Sequence, residues 1–473
     1  MPEPLDAPLA VAWERHLTAG ARPFVIPGHK GSTDLVGPVV AGDVPLFAGV
    51  SSMRGAPAAL REAEASAAAL WGADWCRFSV AGSTHGNQAM ALAVGQPGDV
   101  VVATRGVHRS LLLGFVLADL VPVWVQPDID PVTGLPATLP VERVAAALAA
   151  HPGARAVFVV EPGYGGARSD VEGFAGTSHA AGVPLVVDQA WGAHLGFHPA
   201  LAPHALACGA DAFVTSAHKA LPAYTQAALV CARTERLDRD RLDRAFEATH
   251  TTSPSGTIIA SIDAARALLA RDGERLLGAT IALVAQARER LAAVPGLVVL
   301  DGPSARVDPT RVAVGLAGTG AHGLDVEDDL EALGFAVELA DRDSIVATVT
   351  MADSPDTVGP FVDALIASIE RRRGDPRGVV PPAWLGEGST PEAALTPRQA
   401  FFAPHETVAS DRAAGRVAAE LVAPYPPGIP AIVPGEVLTG EVLDALRAAA
   451  ARGVRVAYAA DATMATVQVV ARR

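Results

Sequence analysis

Val183-Pro-Leu-Val-Val-Asp188 and Ala210-Asp-Ala-Phe-Val-Thr-Ser-Ala-His-Lys219 are two short apolar runs, each followed at its end by a chemically active side chain. Short valine-rich runs bounded by polar residues read as buried strands. Working outward, the same pattern fills residues 77 to 232. The runs Arg77–Val80, Val100–Thr104, Pro122–Val125, Ala156–Glu161, Pro184–Asp188, Ala212–Ser216 and Ala227–Ala232 alternate with Ala/Leu segments of helical period. Seven strands of a mainly parallel sheet with crossover helices are predicted, an α/β fold. In such sheets ligands collect beyond the carboxyl ends of the strands, where Asp188 and Ser216 to Lys219 both fall.

A lysine at a strand end, preceded by a hydroxyl residue and a histidine, with an acid one crossover unit upstream, suits pyridoxal phosphate (PLP). The amine can form a Schiff base with the cofactor aldehyde, and a buried carboxylate can keep the pyridine nitrogen protonated. The competing reading is a solvated lysine after a core strand. The shared sheet edge of Asp188 and Lys219 favours the cofactor.

At 473 residues, half of them hydrophobic and 19% charged, the chain is expected to form two or three well-packed domains. A net charge of −14 argues against nucleic acid, since the dense basic cluster Arg371-Arg372-Arg373 stands alone and reads as a solvated helix end. Cys76, Cys208 and Cys231 form no close pair in sequence and no metal spacing, as in a reducing cytoplasm with structural thiols. The start, Met-Pro-Glu-Pro-Leu-Asp, lacks the basic residues of a secretory signal, and Leu111 to Val125 is too short to span a bilayer. A cytoplasmic protein with no membrane or metal partner is the expectation.

Residues 1–50 read as an N-terminal arm, 51–295 as a large cofactor-binding domain, and 296–473 as a C-terminal domain with a linker-like stretch at 374–397. A long helix is predicted over Ser261 to Val294, a second α/β unit from Gly296-Leu-Val-Val-Leu, and a late strand at Gly453-Val-Arg-Val-Ala-Tyr458.

Gly82-Ser-Thr-His-Gly-Asn87 follows one strand and opens a helix, where unpaired backbone N–H groups and hydroxyls favour a phosphate; an ordinary helix cap is the plain alternative. His108 follows another strand end, placed either to stack on a pyridine ring or merely to be solvated. In Asp188-Gln-Ala-Trp-Gly-Ala-His194 the methyl of Ala190 could pack against the opposite face. Gly163-Tyr-Gly-Gly166 resembles a dinucleotide-binding turn, but Arg168 stands where the third glycine is required, so a tight turn is expected. His194 and His198 have metalloprotease spacing, but Gly196 and Pro199 oppose the helix that would align them. His29-Lys30 reads equally as an anion clamp or a turn.

Taken together, Pro27-Gly-His-Lys30, Gly82–Asn87, His108-Arg-Ser110, Asp188–His194, Ser216-Ala-His-Lys219, Thr251-Thr-Ser-Pro-Ser255, Ala260-Ser-Ile-Asp263, Tyr425-Pro-Pro-Gly-Ile-Pro430 and Pro434-Gly-Glu436 resemble the bacterial ornithine/lysine/arginine decarboxylases. The likeness runs through nearly the whole chain, in the shorter form without an extra N-terminal domain. It implies fold type I, the aspartate-aminotransferase fold, with a seven-stranded sheet in the large domain and a smaller C-terminal α/β domain. It implies Lys219 as Schiff-base lysine, Asp188 on the pyridine nitrogen, and Ser83, Thr84, His85 and Ser216 around the phosphate. His108 is implied to stack on the ring, Ala190 or Trp191 to line the cofactor, and His218 or Lys219 to protonate the product carbon. Thr252 and Ser253 are expected to reach the active site of the other subunit of a homodimer or larger homo-oligomer, and Glu436 to sense the distal charge of the substrate.

The sequence departs from the family where Arg109 stands for a lysine, Gly256 for an aromatic residue, and Glu161-Pro-Gly-Tyr164 for a Thr/Pro/Tyr pattern. The resemblance implies decarboxylation of lysine, ornithine or arginine to the amine and carbon dioxide. The cofactor residues equally serve an aminotransferase or a carbon–carbon lyase, and a non-catalytic PLP-binding homologue is the third reading.

Overall fold

The computed structural model describes residues 5–19, 24, 26–44, 58–131, 133–300, 307–425 and 428–472. Parts of the expected 1–50 arm, and Pro426 and Pro427 of the Tyr425–Glu436 stretch, lie outside them. Contacts cluster into two units, one comprising Met1–Ala93 and Val186–Gly278, the other Val94–Leu185 and Ala279–Arg473.

In chain order the first elements are α1 (Pro8–Thr18), α2 (Ala58–Leu70), β1 (Trp75–Ser79), α3 (Gly82–Val94), β2 (Val100–Thr104), α4 (Arg109–Ala118), β3 (Val121–Val125), α5 (Val141–Ala150) and β4 (Val157–Val160). Then come α6 (Val171–Ala180), β5 (Leu185–Asp188), β6 (Ala212–Ser216), α7 (Ala217–Ala220), β7 (Ala228–Ala232), α8 (Arg239–Thr249) and α9 (Gly256–Ala292). The seven predicted strands all form, in one sheet of order β1-β7-β6-β5-β4-β2-β3. Strand β7 runs against both its neighbours, whereas β5 with β6 and β2 with β3 and β4 are parallel. Every residue of β5, β6 and β7 is buried, which is why these strands read as unbroken apolar runs.

In the first unit, α1 buries Leu9 and donates its backbone N–H to Asp263 of α9 at 2.8 Å, so Asp263 anchors the arm. Helix α9 begins five residues before the predicted Ser261, because Ile259 already closes a turn onto Ser255 O. Ser255, Gly256 and Thr257 are weak helix formers, and the sequence pattern hid that turn. The cysteines bring one correction. Cys76 and Cys231, far apart in sequence, are register partners on β1 and β7, both buried, with sulfurs 3.5 Å apart and unbonded.

The second unit carries a four-stranded sheet of order β10-β11-β9-β8, built from β8 (Val298–Val299), β9 (Arg311–Gly315), β10 (Leu339–Ala340) and β11 (Ser344–Thr348). Val312, Val314, Leu330, Val362 and Ile369 are among its buried core. Two ribbons follow, β12 (His405–Ala409) with β15 (Thr466–Val470), and β13 (Ala423–Tyr425) with β14 (Arg455–Ala457), the last being the predicted late strand. Between Arg371 and Pro397 the chain forms no helix and no strand, and touches a partner through the isolated bridge Ala393–Glu436. The Gly163–Gly166 stretch is the expected tight turn, closed by Gly166 N on Gly163 O.

Candidate active site

Asp188 ends β5 with 2% of its surface exposed. Its Oδ2 accepts from Asn87 Nδ2 at 2.8 Å and its Oδ1 from the backbone N–H of Ala190 at 3.1 Å. Burial pushes the carboxyl up from its ordinary range; the Asn87 hydrogen bond, the nearby Lys219 ammonium and the Ala190 bond oppose that shift. A buried carboxylate held by two neutral hydrogen-bond donors, with an ammonium nearby, suits the pyridinium nitrogen of PLP.

Lys219 lies on the short helix α7, directly after β6, with Nζ 4.1 Å from the centroid of the Trp191 ring. The chain contains two lysines, Lys30 and Lys219, against 35 arginines (37 − 2). Lys219 is thus one of two side-chain amines in the chain able to form an imine, which a guanidinium cannot. His218 donates through Nδ1 to the carbonyl of Ala227 (2.9 Å), since a carbonyl only accepts.

The loop 188–192 is pinned on both sides. Gln189 N donates to Val214 O, the Thr215 hydroxyl donates to Gln189 O, and Gln189 Nε2 donates to Gly192 O, each at 2.8 Å. Ala190 and Trp191 are thereby fixed beside Asp188, both buried.

Ser216 donates to the Ser83 hydroxyl at 3.0 Å. Ser83 belongs to the first turn of α3, a 13-residue helix entered through Gly82 in the left-handed region (φ 71°). Two hydroxyls beside a helix N-terminus could cradle a phosphate, so the residues present fit PLP at the phosphate, the ring nitrogen and the aldehyde. Thr84 is exposed beside them.

His85 departs from expectation. Its Nδ1 bonds the Ser79 hydroxyl at 2.8 Å and its Nε2 the Phe246 carbonyl at 3.0 Å, while its ring packs on Phe246 and His250. Burial lowers its pKa to about 4. With both ring nitrogens engaged inside the fold, this imidazole braces α3 against α8, which leaves only the backbone of His85 for a phosphate. Thr252 and Ser253 are exposed.

In the second unit, His108 caps α4, its Nδ1 accepting from Ser110 N at 3.3 Å and meeting the Ser110 hydroxyl at 2.9 Å. A Cβ at Gly428 (φ 82°) would lie 3.0 Å from the Tyr425 ring and 3.7 Å from His108 Cδ2, which explains a glycine in this proline-rich stretch. Arg109 stacks its guanidinium 3.7 Å above the Tyr458 ring. Glu436 also departs from expectation. Its Oε2 pairs with Arg105 at 3.2 Å and accepts from Val433 N at 2.9 Å, with both side chains buried. Arg105 further donates to Pro430 O at 2.7 Å. Oε2 is thus committed within its own segment, while Oε1 is buried with no hydrogen-bond partner among the described residues.

Asn87 stands in the Gly82–Asn87 motif with no role assigned from sequence, and Arg105 in none; their partners lie 101 and 331 positions away.

The model of the family described as Orn/Lys/Arg decarboxylase, major domain, matches residues 7–356, and that of the Orn/Lys/Arg decarboxylase C-terminal domain matches residues 387–455. The fold is that of a fold type I decarboxylase of basic amino acids. The chain belongs to the Orn/Lys/Arg decarboxylase family, which uses PLP. It is 31% identical over 480 residues to the arginine decarboxylase of Bacillus subtilis (strain 168), covering 98% of each chain. It is 34% identical over 420 residues to the arginine decarboxylase of Halalkalibacterium halodurans, covering 87% of this chain and 85% of that one. Among solved structures it resembles lysine decarboxylase A from Pseudomonas aeruginosa, with a TM-score of 0.81 and 23% identity over 98% of this chain and 80% of that chain. Among the described residues no helix is long and apolar enough to cross a membrane.

Proposed function

We propose that the chain is a PLP-dependent arginine decarboxylase that works as a homodimer in a reducing compartment. The observation that carries the cofactor reading is a lysine amine, Lys219, and a buried, hydrogen-bonded Asp188 in one compact unit. Arginine is favoured among the three basic amino acids by the two relatives above, each an arginine decarboxylase at more than 30% identity.

Bound here, PLP supplies an aldehyde that captures amines and a cationic ring that draws off the electron pair left when carbon dioxide departs. Lys219 is the amine that anchors it. Asp188 holds the proton on the ring nitrogen, and Ser83, Ser216, Thr84 and the α3 N-terminus bind the phosphate. Ala190 and Trp191 wall the cofactor, and His108 is assigned to stack on the ring. Lys219 or His218 delivers the proton to the α-carbon of the product.

The dimer is supported by apolar side chains left in solvent, Phe24 at 97%, Leu35 at 90% and Val39 at 82% exposure, which a second copy would cover. The reducing compartment is supported by the sparse, odd count of three cysteines. Purified protein given PLP and, separately, arginine, lysine and ornithine tests the reading. Release of carbon dioxide with the amine, greatest from arginine, is expected. Formation of a 2-oxo acid instead, or no turnover of any of the three, would overturn it.

A further inference from the structure

Asp188 is useful to a pyridine ring only while ionised, yet it stands almost wholly out of water, where the charged form is disfavoured. The Lys219 ammonium nearby favours the charged form, but a cation hydrogen-bonded to the carboxylate would compete with the ring nitrogen for it. The hydrogen bonds to Asp188 come from neutral donors, the Asn87 amide and the Ala190 N–H. Asn87 Nδ2 reaches Asp188 Oδ2 at 2.8 Å, with Asn87 1% exposed. A carboxylate has about four acceptor positions. Asn87 and the Ala190 N–H take two, one on each oxygen, and leave room for an N–H from a ring.

The approach of Asn87 is built by its neighbour. A Cβ on Gly86 would lie 2.5 Å from Val214 Cγ1 and 2.8 Å from Val230 Cγ2, closer than side-chain atoms pack. Glycine at 86 therefore lets α3 settle onto β6 and β7, and the next residue reaches across to the end of β5. The pair Gly86-Asn87 does in two residues what neither does alone.

We infer that Asn87 is a positioning residue for the decarboxylation: a neutral hydrogen-bond donor that keeps Asp188 ionised and aimed while leaving its charge to the cofactor ring. This rests on the PLP reading above. The direction of its effect on pH follows. Without the donor, Asp188 holds its proton to higher pH, so the acidic limb of cofactor binding moves upward.

The test compares wild type with Asn87→Leu, similar in size but without a donor, and Asn87→Ser, smaller but able to donate. PLP dissociation constants are measured by equilibrium titration across pH, alongside apo-protein melting. For Asn87→Leu, affinity is expected to fall roughly 10- to 100-fold near neutrality, the range for a hydrogen bond to a charged group. Its acidic limb should rise by about one pH unit or more, on the same footing. Asn87→Ser should recover part of both changes, and should carry the test alone if Asn87→Leu fails to fold. Wild-type affinity and acidic limb in Asn87→Leu, or Asn87→Ser no better than Asn87→Leu, would overturn the inference; if Asn87→Leu does not fold, a wild-type acidic limb in Asn87→Ser would overturn it. Wild type that does not bind PLP would instead overturn the cofactor reading.

Discussion

Arg105 and Glu436 form a buried ion pair, 3.2 Å between Nη2 and Oε2, with 0% and 5% of their side chains exposed. The pair ties the strand end at β2 to the Tyr425–Glu436 stretch of the same unit, through Pro430 O and Val433 N as well. Removing one member strands the other charge. Glu436→Gln is expected to lower stability by about 3–5 kcal/mol while leaving the KM for arginine within about twofold. Urea unfolding and steady-state kinetics check both. Unchanged stability with a large rise in KM would return Glu436 to the substrate.

Glu161, at the end of β4, is buried, and burial pushes its pKa from an ordinary 4.5 to about 8, against the Ser169 N–H and Arg168 that favour ionisation. The folded form thus binds a proton that the unfolded chain releases. The stability this contributes is complete below about pH 4.5 and lost as pH rises toward 8. Glu161→Gln mimics the protonated form at every pH. Its melting temperature relative to wild type should climb from about pH 5 to about pH 8 and then level off. A difference constant across that window would contradict the assignment.

Gly86→Ala should destabilise the protein by about 1–3 kcal/mol, because valine side chains on buried strands give way poorly. It should also weaken PLP binding, since α3 carries both Ser83 and Asn87. Val214→Ala in the same chain removes the nearest obstacle, the methyl 2.5 Å away, and is expected to restore part of the affinity. Denaturant titration and cofactor titration of the single and double variants report the two effects.

Burial pushes the Cys76 thiol well above its usual range, with the Cys231 thiol adding to the shift. Native protein treated with iodoacetamide is expected to be labelled first at Cys208, the one cysteine not buried, with Cys76 and Cys231 labelled only on unfolding. Peptide mass spectrometry over time follows the order. Early labelling of Cys76 would show that β1 opens readily at the edge of its sheet.

The sequence exposed the sheet and the two reactive ends because strands buried on both faces are continuous apolar runs that stop where the chemistry begins. Asp188 and Lys219 could be placed from local pattern alone. Asn87 could not, because an asparagine after a glycine in the first turns of a helix looks like a cap, and its partner lies 101 positions on. His85 read as a phosphate ligand for want of any local sign that Phe246, 161 positions away, would take its Nε2. Glu436 and the Cys76–Cys231 pair share that cause. Their roles are set by contacts 331 and 155 positions apart, which periodicity does not encode.

Two lysines in the whole chain make the central claim directly measurable. Protein loaded with PLP, reduced with borohydride and digested should carry the pyridoxyl mass on the peptide containing Lys219, and none on that containing Lys30. The mark on Lys30, or no mark from a preparation that still turns over arginine, would contradict it.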